Sequence, residues 1–207
     1  HVKNYVRNNS TKFELIKKYK EVFRFIPACK KQEVTIGIPA GLHLFEDIFL
    51  WRKFFDLLSF KTVTSENYAT AVKDGKNLSG AEFCAPIAAL HGHVNYLKDK
   101  ADYIFLPVYL EENQDKKPGR QYCYYTQFVS PVISVQEYSG LRSEIMCPII
   151  KSSHGELSLQ IQLTEMFRSV GFENIDLVQV SQAYESAKNA NQLVLSKWKS
   201  IYNADTV

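Results

Sequence analysis

The side chains in this chain best suited to chemistry are three cysteines and two neighbouring histidines. Cys84 opens the run Cys84-Ala85-Pro86-Ile87-Ala88-Ala89-Leu90-His91-Gly92-His93. Proline fits the first turn of a helix, so the sulfur is expected at a helix N-terminus. Unpaired amides there favour the thiolate, the form that binds metal or attacks electrophiles. Cys123 and Cys147 follow the next two expected strands. Three thiolates could hold an iron–sulfur cluster, with water, substrate or a residue from elsewhere as the fourth ligand. The spacing is wide and uneven, however, with no compact C-x-x-C signature. On spacing alone, buried cysteines filling a core are the commoner explanation. Cys29 falls in a linker and is assigned no role.

His91 and His93 lie two apart, so on a helix they diverge by roughly 200 degrees and cannot chelate one ion together. One is expected to face solvent and the other to pack. Cys84 and His93 are separated by roughly 13 Å of helical rise, too far for a cysteine–histidine nucleophile pair. Glu46 and Asp47 follow the first expected strand, where a helix N-terminus favours carboxylates for dipole reasons alone. Trp51, Phe54 and Phe55 belong to a core stripe. No phosphate loop, no Ser-His-Asp order and no carboxylate pair placed for acid–base work is visible, so no catalytic constellation is complete in this chain.

The elements that must position these residues alternate between strand and helix. Val34–Pro39 is a short β-branched run, a first parallel strand, and Ala40–His43 forms the turn after it. From Phe45 to Phe60 the residues Ile48, Trp51, Phe55 and Leu58 keep helical spacing, widened by Leu50, Phe54 and Leu57. Lys61–Ser65 reads as a second strand. A short helix over Tyr68–Lys73 is expected to end at Gly75. The helix after Cys84 carries Ile87, Leu90, Val94 and Leu97. Asp102–Val108 is the clearest strand and should be central. Residues 111–121 form a charged, Pro-Gly-broken loop, and Phe128, Val132 and Val135 mark another helix. Ser143–Ile150 is a late strand, and Leu157–Val170 a helix stopped by Gly171. From Leu177 to Tyr202 a long helix is expected to leave the domain and pack on a neighbour. This alternation predicts an α/β fold: a three-layer α/β/α sandwich with a mostly parallel, Rossmann-like sheet and a long C-terminal helix. Sites in such sheets form at the carboxyl ends of the strands, where Cys84, Cys123 and Cys147 are expected. The first turn lacks G-x-G-x-x-G, so nothing points to a dinucleotide.

Composition bounds the rest. The 207 residues are 45% hydrophobic and 23% charged, with a net charge of +3. This is ordinary globular material, too weakly basic to imply nucleic acid. No apolar run is long enough to span a membrane, and four widely spaced cysteines suit reduced thiols in a cytoplasm. The chain begins with His1, and it is expected to be a piece of a longer protein. Residues 1–32 would be a linker or helix from an upstream region, with Phe13, Ile16, Tyr19, Val22 and Phe23 near helical spacing. Residues 33–207 would be the α/β domain, with 172–204 as its helical extension.

The segments IGIPAGLHLFEDIFLWRKFFDLLSF, EFCAPIAALHGHVNYLKDKADYIFLPVY and QYCYYTQFVSPVI together resemble the accessory domain of the 2-hydroxyglutaryl-CoA dehydratase activator-related proteins, the DUF2229 family. That family shows, in the same order, a strand ending IGIPR, a C-x-P-x-K segment, a glycine–histidine pair, a strand of the DYIFYP type, and a tyrosine-asparagine-cysteine-proline segment. The resemblance spans roughly residues 34–150 and extends into the C-terminal helices.

What the resemblance implies is a domain similar to the subunits of 2-hydroxyacyl-CoA dehydratases that hold a 4Fe–4S cluster. Its role would be accessory electron transfer beside ATPase activase modules, toward acyl-CoA dehydratase or reductase subunits. Cys84 matches the cysteine of C-x-P-x-K, Cys123 the later cysteine, and His93 the histidine of the glycine–histidine pair. Cys147 has no counterpart and stands as a candidate third ligand. Ala40 replaces the family's arginine, Ala88 its lysine, and Tyr124 the proline after the second cysteine. Two readings follow: an iron–sulfur accessory domain, or a structural and interaction domain that kept the scaffold and lost the cluster. The long C-terminal helix offers one route to a homo-oligomer.

Overall fold

The computed structural model describes residues 33–79, 83–111, 121–135, 144–151 and 154–205. The helix expected within residues 1–30, Cys29 and most of the 111–121 loop lie outside the described residues. The first strand, β1 (Thr35–Ile38), buries three of its four residues. Helix α1 (His43–Leu57) follows, with Ile48, Trp51, Phe54 and Phe55 buried along one stripe. Next come β2 (Lys61–Thr64), α2 (Ala71–Leu78), α3 (Ala85–Leu97), β3 (Tyr103–Phe105) and β4 (Val108–Tyr109). The remaining elements are α4 (Tyr124–Val135), β5 (Glu144–Met146), β6 (Ile149–Ile150), α5 (Gly155–Ser169) and α6 (Leu177–Asp205).

Four strands pair in parallel in the order β2-β1-β3-β5, with Thr35 beside Lys61, Ile36 beside Tyr103, and Ile104 beside Ile145. The expected α/β sandwich is therefore the observed one, and β3 is an inner strand as expected. Helices α1, α5 and α6 pack together as one layer, and α2, α3 and α4 as another. The first layer meets an aromatic core in which the Phe105 ring centroid lies 4.7 Å from that of Trp51 and 5.1 Å from that of Phe55. Lys31–Val207 forms a single compact unit.

Two long strands expected from the sequence are each broken in two. Leu106-Pro107 separates β3 from β4, and Cys147-Pro148 separates β5 from β6. Proline has no N–H to give the ladder, so strand geometry lapses at both. Bonding resumes on the far side, where β4 pairs in parallel with β6 and Val108 N–H donates to the Pro148 carbonyl at 2.9 Å.

Gly75 does not end α2 as expected; it sits inside the helix. A Cβ on Gly75 would come within 1.6 Å of the Ala88 carbonyl oxygen, and one on Gly92 within 2.0 Å of the Ala71 carbonyl oxygen. The two glycines let α2 and α3 touch backbone to backbone, closer than ordinary helix packing permits. The C-terminal helix also departs from expectation in its first half. Val180, Ala183 and Ala187 are buried, and Tyr184 meets the Trp51 and Phe54 rings at 6.1 and 6.4 Å. Its start is fixed by a reciprocal cap: Gln179 N–H donates to the Asp176 carboxylate at 2.8 Å, and the Gln179 side-chain oxygen accepts from Asp176 N–H at 3.0 Å.

Candidate functional site

In the order β2-β1-β3-β5 the chain leaves β1 toward one edge and β3 toward the other. Their carboxyl ends therefore flank a topological switch point, the usual place for a site in such a sheet. After β1 the backbone turns through Leu42, whose φ is 49, a left-handed conformation that costs a leucine energy. Helix α1 starts there with no side-chain cap. A small cavity of about 10 Å³ lies at this point, lined among others by Leu42, His43, Leu90, Tyr109, Thr126 and Ser130. It has room for about one water molecule.

Tyr109, which lines the cavity, also belongs to a partly buried polar array that the sequence reading missed. The Tyr109 hydroxyl donates to the Asp47 carboxylate at 2.9 Å and accepts from the Trp51 indole N–H at 3.0 Å. Burial pushes the Asp47 carboxyl above its usual range, while the bond from Tyr109 pulls it partly back. Burial, with the Asp47 charge beside it, pushes the Tyr109 phenol well up. Tyr184, contributed by α6, is pushed up to about 12, mainly by burial. His43 stacks on Tyr122 with 3.7 Å between ring centroids and leans on Tyr109 at 5.6 Å. Asp47 is thus a half-buried hydrogen-bond acceptor and more than a dipole partner. The signal was available: His43, Asp47 and Trp51 recur every fourth residue on one face of a helix.

Cys84 occupies the N-cap of α3, extended at φ −61 and ψ 153, with Pro86 in the first turn. Its carbonyl accepts the Ile87 and Ala88 amides, each at 3.0 Å, and the residue is exposed. Cys123 immediately precedes α4 and is also exposed. Its sulfur lies 3.2 Å from the Thr126 hydroxyl. That hydroxyl, followed by the Thr126 and Tyr125 amides, holds the thiol below its ordinary range. Thr126 also lines the switch-point cavity.

The two cysteine segments are joined by rings. Phe83 stacks on His91 (5.8 Å, 12°) and meets Tyr125 edge-on (5.8 Å, 71°). Cys147 is not brought to this pair. Half-buried after β5, it bonds to Ser134, and burial pushes its thiol up. Ser134 is three turns along α4 from Cys123, roughly 16 Å of helical rise. Among the described residues, no group of three or more His, Cys, Asp or Glu side chains converges as a metal site.

Both histidines of α3 are buried, at 0% and 8% exposure, against the expectation that one faces solvent. Helix α3 has the sheet on one side and α2 and α4 on the others, so opposite faces are both covered. Burial lowers both imidazoles, and for His93 a bond to the Ser65 backbone offsets this in part. The buried Nδ1 of His93 has no hydrogen-bond partner among the described residues.

A doubly wound α/β domain with two exposed thiols at neighbouring helix starts on its carboxyl edge defines the class of protein. Within that class the chain belongs to the family described as CoA enzyme activase uncharacterised domain (DUF2229), whose profile matches residues 35–203. No curated protein and no solved structure matches the chain. Among the described residues no helix is long and apolar enough to cross a membrane.

Proposed function

We propose that this domain is an accessory electron-transfer module of the CoA enzyme activase machinery, carrying an iron–sulfur unit on Cys84 and Cys123. The observation that supports the reading is that Phe83, next to the exposed Cys84, touches Tyr125, two residues past the exposed Cys123. The donor chemistry fits: thiolates are the standard ligands of such clusters, and the Cys123 surroundings favour the ionised form. Bound there, the group would supply one-electron transfer at low potential. Cys147 lies outside this ligand set, so the remaining ligands would come from solvent, substrate or another chain. His93 acts as a packed group within α3. The partners would be ATPase activase modules and acyl-CoA dehydratase or reductase subunits, in a cytoplasmic setting. A second copy of the chain would pack on the bare end of α6, where Leu193 and Trp198 are 71% and 65% exposed.

One observation favours the second reading, a non-catalytic interaction domain. Ala40 and Ala88 stand where the family shows arginine and lysine, and both methyls are buried, so neither position can present charge to a ligand. Anaerobic reconstitution followed by iron and sulfide analysis decides between the two. Bound iron with matching sulfide, lost in both Cys84→Ser and Cys123→Ser, is the expected result. Colourless, iron-free protein would favour the interaction domain and sink the cluster.

A further inference from the structure

The two thiols belong to separate helices, and nothing in either helix by itself fixes the distance between them. Cys84 precedes α3 and Cys123 precedes α4, on either side of the polypeptide that forms β3 and β4. Such a pair can act as one site only if something holds the two helix starts together. Helices α3 and α4 pack against each other, and next to the two thiols the described contact is aromatic. Phe83, next to Cys84, has its ring parallel to that of His91 one helical stretch further on, and offers its edge region to Tyr125, two residues past Cys123.

We infer that Phe83 and Tyr125 are positioning residues, and that the ladder His91–Phe83–Tyr125 sets the approach of the Cys84 and Cys123 sulfurs and so makes them one two-thiolate site for a soft metal. The inference rests on the ligand assignment proposed above, but it concerns the protein's own frame and not the cluster. His91 is wholly buried and anchors the inner end of the ladder to the body of α3. Phe83 is half-buried between the helices. Tyr125 is 61% exposed, so its ring contributes little to the core, and its contact with Phe83 is a local clamp. Ring pairs of this kind favour one geometry beyond the area they bury. That suffices to select one arrangement of two helix starts without determining whether the domain folds.

Cadmium ion is the probe, because thiolates bind it strongly and each cadmium–thiolate bond adds ultraviolet charge-transfer absorbance. The measurement uses the chain carrying Cys29→Ser and Cys147→Ser, so that only the proposed pair can respond. The parent is expected to take up one ion with a band lost in both Cys84→Ser and Cys123→Ser. Tyr125→Ala should then weaken binding by about tenfold or more, the range seen when a group orienting a metal ligand is removed. Tyr125→Phe, which keeps the ring, should bind as the parent does. Phe83→Leu should weaken binding and Phe83→Tyr restore it. Should Phe83→Leu lose its folded circular dichroism, the exposed Tyr125 pair decides alone. Parent-like binding by Tyr125→Ala overturns the ladder and leaves the two-thiol site standing. A parent band that survives loss of either cysteine overturns the two-thiol assignment, and the ladder with it.

Discussion

Asp47, His91 and His93 all hold polar atoms inside the domain, and each changes stability with pH in a direction that follows from its surroundings. The two histidines titrate below their ordinary value in the fold because burial penalises the imidazolium. Below about 6.5, the unperturbed value, the unfolded chain therefore takes up protons that the folded chain refuses. The stability these histidines contribute is complete above that pH and is lost as pH falls toward their folded values. The slope can reach about 1.4 kcal/mol per pH unit for each histidine. Urea midpoints at pH 7.5 and 5.5 should show the loss, and His91→Phe, which keeps a ring against Phe83, should flatten it. An unchanged slope in that variant would remove His91 from the account. Asp47 acts in the opposite sense, since its carboxyl is raised, but only at the lower pH where carboxylates titrate. Cys84 was legible from residue type and a following proline. Of the Asp47–Tyr109–Trp51 array, the spacing of Asp47 and Trp51 on one helix face was legible, but the arrival of Tyr109 was not, because it comes from a strand whose approach depends on the closed sheet.

At the scale of elements, periodicity could be read and interruptions could not. Helices α1, α3, α5 and α6 announced themselves by apolar residues recurring every three or four positions. Pro107 and Pro148 were visible inside apolar runs, yet that they stand opposite each other and split a strand pair into two ladders is a matter of register. Gly75 misled for a more basic reason. A glycine can mark a helix stop or a place where another backbone arrives, and sequence alone favours the stop. The α2–α3 crossing makes the distinction testable. Gly75→Ala places a methyl on a backbone oxygen, which cannot swing aside as a side chain can. The helices must part, at a cost on the order of 3 kcal/mol. Thermal unfolding should show a large drop for Gly75→Ala. A solvent-facing control, Lys76→Ala, should move little. If the glycine variant unfolds with the control, the crossing is looser than described and the helix-stop reading regains its force. Because α3 begins at Cys84, a partial shift should also displace that thiol.

At the scale of the whole molecule the proportions of the sheet and the last helix do not match. The strands have four residues or fewer, roughly 13 Å of extended chain, and α1 beneath the last helix runs for 15 residues, roughly 22 Å. Helix α6 has 29 residues, roughly 43 Å, and so must overrun the layer it belongs to. Its first half is core: Val180, Ala183 and Ala187 are buried, and Tyr184 closes over Trp51. Its second half carries Leu193, Trp198 and Ile201 uncovered. The family match continues to residue 203 and so takes in this bare end. A chain ending at Gln192 keeps all three buried residues and Tyr184. It should therefore unfold within about 1 kcal/mol of the full chain, as surface changes do. A chain ending before Val180 would uncover the Trp51 cluster and should not accumulate as soluble protein. Light scattering then tests what the overhang is for. The full chain should be a dimer that becomes monomeric on truncation at Gln192 or in Trp198→Glu. A full chain that is already monomeric at the same concentration sinks the pairing of two copies through α6. A truncated chain that remains dimeric moves the contact elsewhere. Should truncation instead destabilise like the loss of a core residue, the overhang is part of the folded core and the division of α6 into two halves is wrong.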